Sequence, residues 1–198
     1  PVEKIETIVV SHQHLDHSAD LNIMVDAITE GGFRKRGNLF LTTGTLREGI
    51  LLPYLQPYLK KIEILKPHTL YEIPPFKFKT TCLLKHTAEN YGLLFYLPEG
   101  KIIGFITDTA YFEGLADEFT EANILVIYTV RYKPQENVLH LSVYDIKKIL
   151  KKLKPEEVIL THFGMTMLKA NPFKVAQELS NELGLKIRAC YDGMNIKI

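Results

Sequence analysis

Short apolar runs alternate with helix-like periodic segments in the first part of the chain. Glu6–Ser11 is a β-branched run that predicts a buried strand, and Leu39–Thr42 predicts another. Between them, Ser18–Glu30 has apolar residues at helical spacing, and Gly31-Gly32 follows as a stop signal. Gly44–Leu55 is predicted to form a further helix, which ends near the prolines that follow.

The middle of the chain is rich in predicted strands. Four runs are apolar or alternating between turn residues: Ile62–Leu65, Phe76–Lys85, Leu93–Leu97 and Lys101–Thr107. The turns between them contain Pro74-Pro75 and Pro98-Glu99-Gly100. Ile124–Thr129 predicts one more apolar strand.

Strand and helix signals alternate in the last third. Ser142 with Asp145 three residues later predicts a capped helix that Pro155 ends. Asn171-Pro172 predicts the start of a second helix and Gly184 its end. Three segments are predicted as strands: Val158–Thr161, Lys186–Cys190 and Met194–Ile198. The pattern therefore predicts a mixed α/β fold with central strands and outer helices.

Length and composition are those of one ordinary globular domain, residues 1–198. The formal net charge is +1, which gives no global attraction to nucleic acid or to an anionic membrane. No apolar stretch reaches the roughly 18–20 residues of a membrane-spanning helix. Two cysteines are too few for a disulfide framework, so a cytoplasmic location with no membrane contact is expected.

A dense histidine cluster follows the first predicted strand. His12, His14, Asp16 and His17 lie within six residues. In an extended segment, side chains two residues apart point to the same side, so His12 and His14 can bind one ion. Asp16 and His17 lie where the chain turns into a helix and can reach a second, adjacent ion. Imidazole and carboxylate ligands suit zinc and its first-row neighbours.

Four motifs in consistent order resemble the metallo-β-lactamase superfamily. They are His12-x-His14-x-Asp16-His17, then His86, then Asp108 within Ile106-Thr107-Asp108-Thr109, then His162 within Leu160-Thr161-His162-Phe163-Gly164. The resemblance implies an αβ/βα sandwich of two packed sheets with helices outside. It also implies a first metal held by His12, His14 and His86, a second held by Asp16, His17 and His162, and Asp108 between them.

The same resemblance implies hydrolytic chemistry at this site. Two divalent cations about 3.5–4 Å apart would hold a hydroxide at neutral pH and stabilise charge on substrate oxygens. Zinc is the expected ion, with manganese or iron as alternatives. Family β-lactamases often carry Cys at the position of Asp108, which disfavours antibiotic hydrolysis. Diiron relatives carry Glu at the position of His14, which disfavours redox chemistry.

His140 lies just before the helix that begins near Ser142. Its segment resembles the His-Ser-Thr segment of ribonuclease Z and related phosphodiesterases, although Leu141 intervenes. His140 is predicted to take part in catalysis by donating a hydrogen bond or proton to the leaving oxygen. The alternative is a histidine at a helix start that bonds only to the backbone. Asp16 is the second predicted catalytic residue.

Family members normally begin with several strands before the histidine-rich loop, whereas this sequence reaches His12 almost at once. The sandwich is therefore expected to lack its N-terminal strands. An unpaired sheet edge would favour a homo-oligomer or association through that edge.

The favoured function is hydrolysis of a phosphodiester, in a small molecule or a nucleic acid. The alternatives are a thioester or lactone hydrolase of the glyoxalase II type and a non-catalytic metal-binding scaffold.

Overall fold

Two β-sheets pack face to face in the computed structural model, which describes residues 2–197. The smaller sheet is parallel throughout and has the order β1-β2-β3. Its strands are β1 (Thr7–Val9), β2 (Asn38–Leu41) and β3 (Lys61–Ile64). Within the described residues, β1 and β3 are its two edge strands.

The larger sheet is mixed and runs in order from β10 to β4. Its strands are β4 (Leu70–Ile73), β5 (Phe76–Leu83), β6 (Tyr91–Tyr96), β7 (Ile102–Ile106), β8 (Ile124–Tyr128), β9 (Glu157–Thr161) and β10 (Ile187–Ala189). The pairs from β4 to β7 are antiparallel, and those from β7 to β10 are parallel. The carboxyl ends of β7, β8 and β9 therefore meet at one edge of the sheet.

Helices cover the outer faces of both sheets. The α-helices are α1 (Leu15–Ser18), α2 (Leu21–Ile28), α3 (Thr43–Arg47), α4 (Val143–Lys152), α5 (Met165–Ala170) and α6 (Pro172–Leu183). Short 3₁₀ segments are Val2–Lys4, Pro53–Tyr58 and Ala116–Phe119. Of the helices within residues 2–197, none is long and apolar enough to cross a membrane.

An aromatic cluster joins the two sheets. Phe40 of β2 packs edge-on against Tyr71 of β4 and Phe78 of β5, with ring centroids 5.4 and 5.1 Å apart. Separate apolar clusters join α2 to the small sheet and α4 and α6 to the large sheet. Burial on both faces of each sheet explains why these strands read as nearly continuous apolar runs. The predicted α/β sandwich is confirmed.

The predicted helix boundaries in the last third are confirmed. Ser142 caps α4, and Asp145 returns a hydrogen bond to the Ser142 backbone in a complete capping box. The Asn171 side chain accepts hydrogen bonds from Phe173 N and Lys174 N at the start of α6. Gly184 ends α6 in the left-handed conformation.

Several predicted elements differ from the structure. The helix predicted over Gly44–Leu55 is wrong: α3 ends at Arg47, Gly49 has a positive φ, and only a 3₁₀ segment follows. The strand predicted over Met194–Ile198 is also wrong as far as Lys197, because those residues pair with no strand, and Ile198 lies outside the described residues. The helix predicted over Ser18–Glu30 is α2, which begins at Leu21, because the preceding helix α1 ends at Ser18.

Three strands or α-helices went unpredicted: α1, β4 and α5. Each is short: α1 and β4 have four residues and α5 has six. Segments of this length show too few periods for a pattern, and β4 is stabilised by its pairing with β5.

Candidate metal centre

Strand ends position the candidate ligands. His12 follows β1 after a short connection, His86 follows β5, Asp108 follows β7 and His162 follows β9. The carboxyl end of β1 faces the edge of the large sheet where β7 and β9 end. The sandwich therefore brings together residues that are up to 150 positions apart in sequence, from His12 to His162.

The first group of candidate ligands contains three histidines and one carboxylate. The ligand atoms of His12, His14, His86 and Asp108 all lie within 4.8 Å of one another. His14 Nδ1 is 3.0 Å from His12 Nε2 and 3.0 Å from His86 Nε2. Three ring nitrogens thus converge on one point.

The second group lies beside the first and is more exposed. His162 Nε2 is 2.9 Å from His17 Nε2 and 3.2 Å from Asp16 Oδ2. His17 Nε2 is 3.4 Å from Asp16 Oδ2. Asp16 is 63% exposed, so this group reaches solvent through its carboxylate.

Asp108 lies between the two groups. Its Oδ2 is 3.1 Å from His17 Nε2, 3.8 Å from His162 Nε2, 3.7 Å from His12 Nε2 and 3.9 Å from His86 Nε2. One carboxylate oxygen therefore contacts both groups, which is the position that a shared ligand of two cations needs.

Hydrogen bonds at the opposite ring nitrogens favour the tautomers that bind metal. His86 Nδ1 lies 3.2 Å from the carbonyl oxygen of Leu139, which can only accept, so this nitrogen carries the proton. His12 Nδ1 faces Ser11 Oγ at 3.1 Å, and His14 Nε2 faces Thr87 Oγ1 at 3.3 Å. In each ring the nitrogen that points into the cluster can then present a lone pair.

The donor set fits divalent cations. Asp108 Oδ1 is buried without a hydrogen-bond partner among the described residues, which costs free energy unless another group satisfies it. Ring nitrogens face each other at 2.9–3.0 Å in both groups. Such contacts are explained when the lone pairs converge on a cation, and imidazole with carboxylate is the ligand chemistry of zinc and its neighbours.

The pKa shifts leave the cluster ready to bind cations. Burial, followed by the charge of His17, lowers the pKa of His12 to about 3. Burial also lowers the pKa of His86. Burial by itself raises the pKa of Asp108, but the neighbouring imidazoles of His140 and His17 outweigh it and hold that pKa well below its ordinary range. At neutral pH the two histidines are uncharged and Asp108 is ionised, as metal ligands must be.

Asn90 and Thr107 support the strand end that carries Asp108. The fully buried Asn90 donates from Nδ2 to the Asp108 carbonyl oxygen at 2.7 Å, and Thr107 Oγ1 donates to Asn90 Oδ1 at 3.1 Å. From sequence alone, the segment Glu89–Gly92 after His86 is interpreted as a simple turn or as part of the substrate mouth. The position of Asn90 directly before a strand was the only signal for this role.

Thr109 and Thr161 were predicted to orient neighbouring ligands. Thr109 Oγ1 accepts from Lys85 N at 3.1 Å and so joins the segments of Asp108 and His86. For Thr161, the described contact is a backbone one: its carbonyl accepts from Thr129 N at 2.8 Å.

Tyr128, at the end of β8, forms an aromatic stack with the second group. Its ring lies nearly parallel to the His162 ring at 5.0 Å and to the His17 ring at 5.8 Å. Burial raises the pKa of its hydroxyl. Sequence reasoning read Tyr128 only as part of an apolar strand.

The turn after β9 directs His162 into the cluster. His162 has φ of 56°, a left-handed conformation that turns the chain sharply. Gly164 follows, and a Cβ there would lie 2.6 Å from the Val130 carbonyl oxygen. Gly164 N donates to that same oxygen at 3.2 Å, so the close approach is part of the turn.

His140 contacts the cluster without belonging to either ligand group. Its Nδ1 is 3.4 Å from Asp108 Oδ1, and its ring centroid is 5.1 Å from that of His86. Its side chain is 25% exposed. Within the described part of the chain, His140 Nδ1 has no hydrogen bond, so the alternative of a backbone-bonded ring nitrogen is not seen for that atom.

All seven predicted ligand residues are brought together, with His140 beside them. His68, which the sequence gives no reason to place in the site, has its Nδ1 3.6 Å from Glu118 Oε2. Cys82 and Cys190 are free thiols.

A family model described as "Beta-lactamase superfamily domain" matches residues 1–163. The match covers most of the chain, which therefore belongs to the beta-lactamase superfamily. Its fold is that of metallo-beta-lactamase fold proteins, as comparison with solved structures shows.

The protein YhfI from Bacillus subtilis, a metallo-beta-lactamase fold protein, superposes with a TM-score of 0.82 at 19% identity, over 98% of this chain and 78% of that one. The short form of human tRNase Z superposes with a TM-score of 0.72 at 17% identity, over 100% and 81% of the two chains. In sequence, the chain is 29% identical to the uncharacterized protein MJ1374 of Methanocaldococcus jannaschii, over 98% of this chain and 75% of that protein.

Proposed function

We propose that this chain is a metal-dependent hydrolase that cleaves phosphodiester bonds. The observation that carries the proposal is the position of His140, 3.4 Å from Asp108 Oδ1 and outside both ligand groups. A partly exposed imidazole beside a two-cation cluster can reach a substrate that the cations hold.

Each ligand candidate has a place in this proposal. One cation would be held by His12, His14 and His86. The other would be held by Asp16, His17 and His162, and Asp108 would contact both. When bound, the cations would supply Lewis acidity and make hydroxide available as the nucleophile at neutral pH. Zinc is the expected ion, with manganese or iron as alternatives. Asp16, the exposed ligand candidate of the second group, would accept a hydrogen bond from incoming water and so orient it.

His140 would act on the leaving group. Its imidazole would give a proton or a hydrogen bond to the leaving oxygen. Protonation of that oxygen removes the cost of expelling an alkoxide. The resemblance to human tRNase Z in fold supports a phosphodiester as the substrate class.

Hydrolysis of bis(p-nitrophenyl) phosphate tests the proposal. The purified chain is assayed with added zinc or manganese and again after chelation. Turnover should require metal and should be lost in Asp108→Asn, while Lys151→Gln, on the exposed face of α4, should behave as wild type. A chain that binds about two metals and leaves this substrate intact, but hydrolyses a thioester or lactone, would overturn the phosphodiester assignment. A chain that purifies without metal and takes up none would favour a scaffold.

His140→Gln separates catalysis from metal binding. For a thymidine dinucleotide, whose leaving oxygen is an alkoxide, we expect turnover to fall about 100-fold or more, the usual contribution of a general acid, while the bound metal content stays the same. Unchanged turnover in this variant would remove His140 from the mechanism.

A further inference from the structure

A basic groove of about 380 Å³ opens beside the turns that leave the metal centre. One wall is the loop after β8, with Arg131, Lys133 and Gln135, and the other is α5, with Thr166 and Lys169. The lining contains these three cations and no carboxylate. A concave surface with one sign of charge concentrates ions of the opposite sign.

The three cationic side chains of this groove are not neutralised by carboxylates within the described residues. Among the described residues, Arg131, Lys133 and Lys169 form no ion pair, whereas Lys186 and Arg188 on β10 both pair with Glu157. The Arg131 guanidinium donates from Nη2 to Gln135 Oε1, and its Nε is buried without a hydrogen-bond partner. The Arg131 guanidinium is thereby held beside Gln135 in the wall of the groove.

Both walls of the groove continue directly from residues of the site. Arg131 and Ser142 form an isolated parallel β-bridge. The backbone N of Arg131 donates a hydrogen bond to the Leu141 carbonyl oxygen at 3.1 Å. Neighbouring strands lie about 4.8 Å apart, so Arg131 is next to the segment that carries His140. On the other wall, Thr166 lies four residues after His162. Its Oγ1 accepts a hydrogen bond from Tyr132 N at 3.2 Å.

The geometry points to a second anion subsite: this groove binds a phosphate of the substrate adjacent to the one that is cleaved. The inference rests on the proposed phosphodiesterase function and adds that the substrate carries at least two phosphates. Lys133 and Lys169 supply point charges from opposite walls, and Arg131 supplies a guanidinium that Gln135 holds in place. The second phosphate can belong to a nucleic-acid strand or to a nucleotide diphosphate.

Binding of fluorescein-labelled single-stranded hexathymidylate tests the subsite without turnover. Fluorescence anisotropy is measured with chelator present, for wild type and for the double variant Lys133→Gln/Lys169→Gln. We expect the double variant to bind about tenfold more weakly. The plot of log K against log salt should flatten by about 0.7, because the groove neutralises one phosphate and each neutralised phosphate of a single strand contributes about 0.7. Unlabelled ADP as competitor distinguishes the two sources: displacement that depends on the two lysines indicates a nucleotide diphosphate, and no displacement indicates a strand.

A matched control is Lys151→Gln/Lys152→Gln, which removes two exposed lysines from the far end of α4. The helix spans about 15 Å, so these lysines lie away from the groove. Equal weakening in the control and in the groove variant, or no weakening in either, would overturn the subsite and leave only a general charge effect.

Catalysis then separates this inference from the proposed function. With metal added, bis(p-nitrophenyl) phosphate has one phosphate, so its turnover should be the same in wild type and in the groove variant. The KM for hexathymidylate should rise in the variant while kcat is unchanged. Failure of wild type to hydrolyse either compound would contradict the phosphodiesterase proposal, whereas loss of the KM difference alone would contradict the subsite.

Discussion

His86 Nδ1 lies 3.2 Å from the carbonyl oxygen of Leu139, so a candidate metal ligand is joined directly to the loop that carries His140. His86 follows β5 and Leu139 precedes α4, so the bond crosses 53 positions of sequence. The conformation of the metal centre and the conformation of the loop that carries His140 are therefore coupled.

Zinc should slow amide hydrogen exchange in the loop between Val130 and Leu141. Metal at His86 Nε2 keeps the ring in the orientation that donates to Leu139, which holds the loop in place. Exchange measured by mass spectrometry with zinc and with chelator should differ in this segment. The difference should disappear in His86→Ala, and an effect of zinc that persists there would show that the coupling runs through another contact.

Tyr128 should set the affinity of the second metal group. Tyr128→Leu removes the ring stacked on His162 and His17, so both imidazoles gain freedom, and we expect the second cation to bind about 10–100-fold more weakly. Tyr128→Phe keeps the ring and should bind as wild type. Zinc titration followed by calorimetry measures both variants, and equal affinities for wild type and Tyr128→Leu would contradict the stacking role.

Asn90→Ala should cost about 1–3 kcal/mol of unfolding free energy, because the buried carbonyl of Asp108 loses its donor. Thr107→Val removes the bond from Thr107 Oγ1 to Asn90. Since the two residues share that bond, the double variant should lose less than the sum of the single losses. Urea unfolding gives all three values.

Asn181→Ala, at an exposed position on α6, serves as control and should change the free energy of unfolding by less than about 0.5 kcal/mol.

Two glycines should resist substitution for different reasons. Gly164 has an ordinary φ of −78° but no room for a Cβ beside the Val130 carbonyl, so Gly164→Ala should displace the His162 turn and weaken metal binding as well as stability. Gly184 has open space but a φ of 64°, so Gly184→Ala should cost about 1–2 kcal/mol and leave metal binding unchanged. Metal affinity that is equal in both variants would refute the distinction.

The metal-free protein should lose stability as the pH falls below about 6.5. Burial lowers the pKa of His12 from 6.5 to about 3 in the folded chain, so the unfolded chain binds the proton more readily between these values. The stabilising contribution is complete above pH 6.5 and is lost as the pH falls toward 3. Urea unfolding in chelator from pH 7 to pH 4 should show a shallower decline for His12→Gln than for wild type; parallel curves would disprove the effect.

Local sequence was sufficient to predict the α/β class and the ligand candidates of the first motif, whereas His86, Asp108 and His162 were predicted from the resemblance to the metallo-β-lactamase superfamily. The spacing of His12 and His14 on an extended segment orients both rings within a few residues, so no distant partner is needed to recognise it. The capping signals at Ser142, Asn171 and Gly184 are equally local, and the helix boundaries that they predicted are confirmed.

Other features depend on residues that are distant in sequence. The role of Asn90 requires β6 and β7 to pair, the stack on Tyr128 requires β8 to lie beside the turn after β9, and the basic groove requires the loop of Arg131 to meet α5. Strand β4 forms against β5, and Gly49 with Pro53 breaks the helix that periodicity predicted. Sequence therefore determined which groups could bind metal, because ligand chemistry and short spacing are local properties. Tertiary structure decided which groups support and surround them, because such contacts form only when the two sheets pack and bring separate strand ends to one edge.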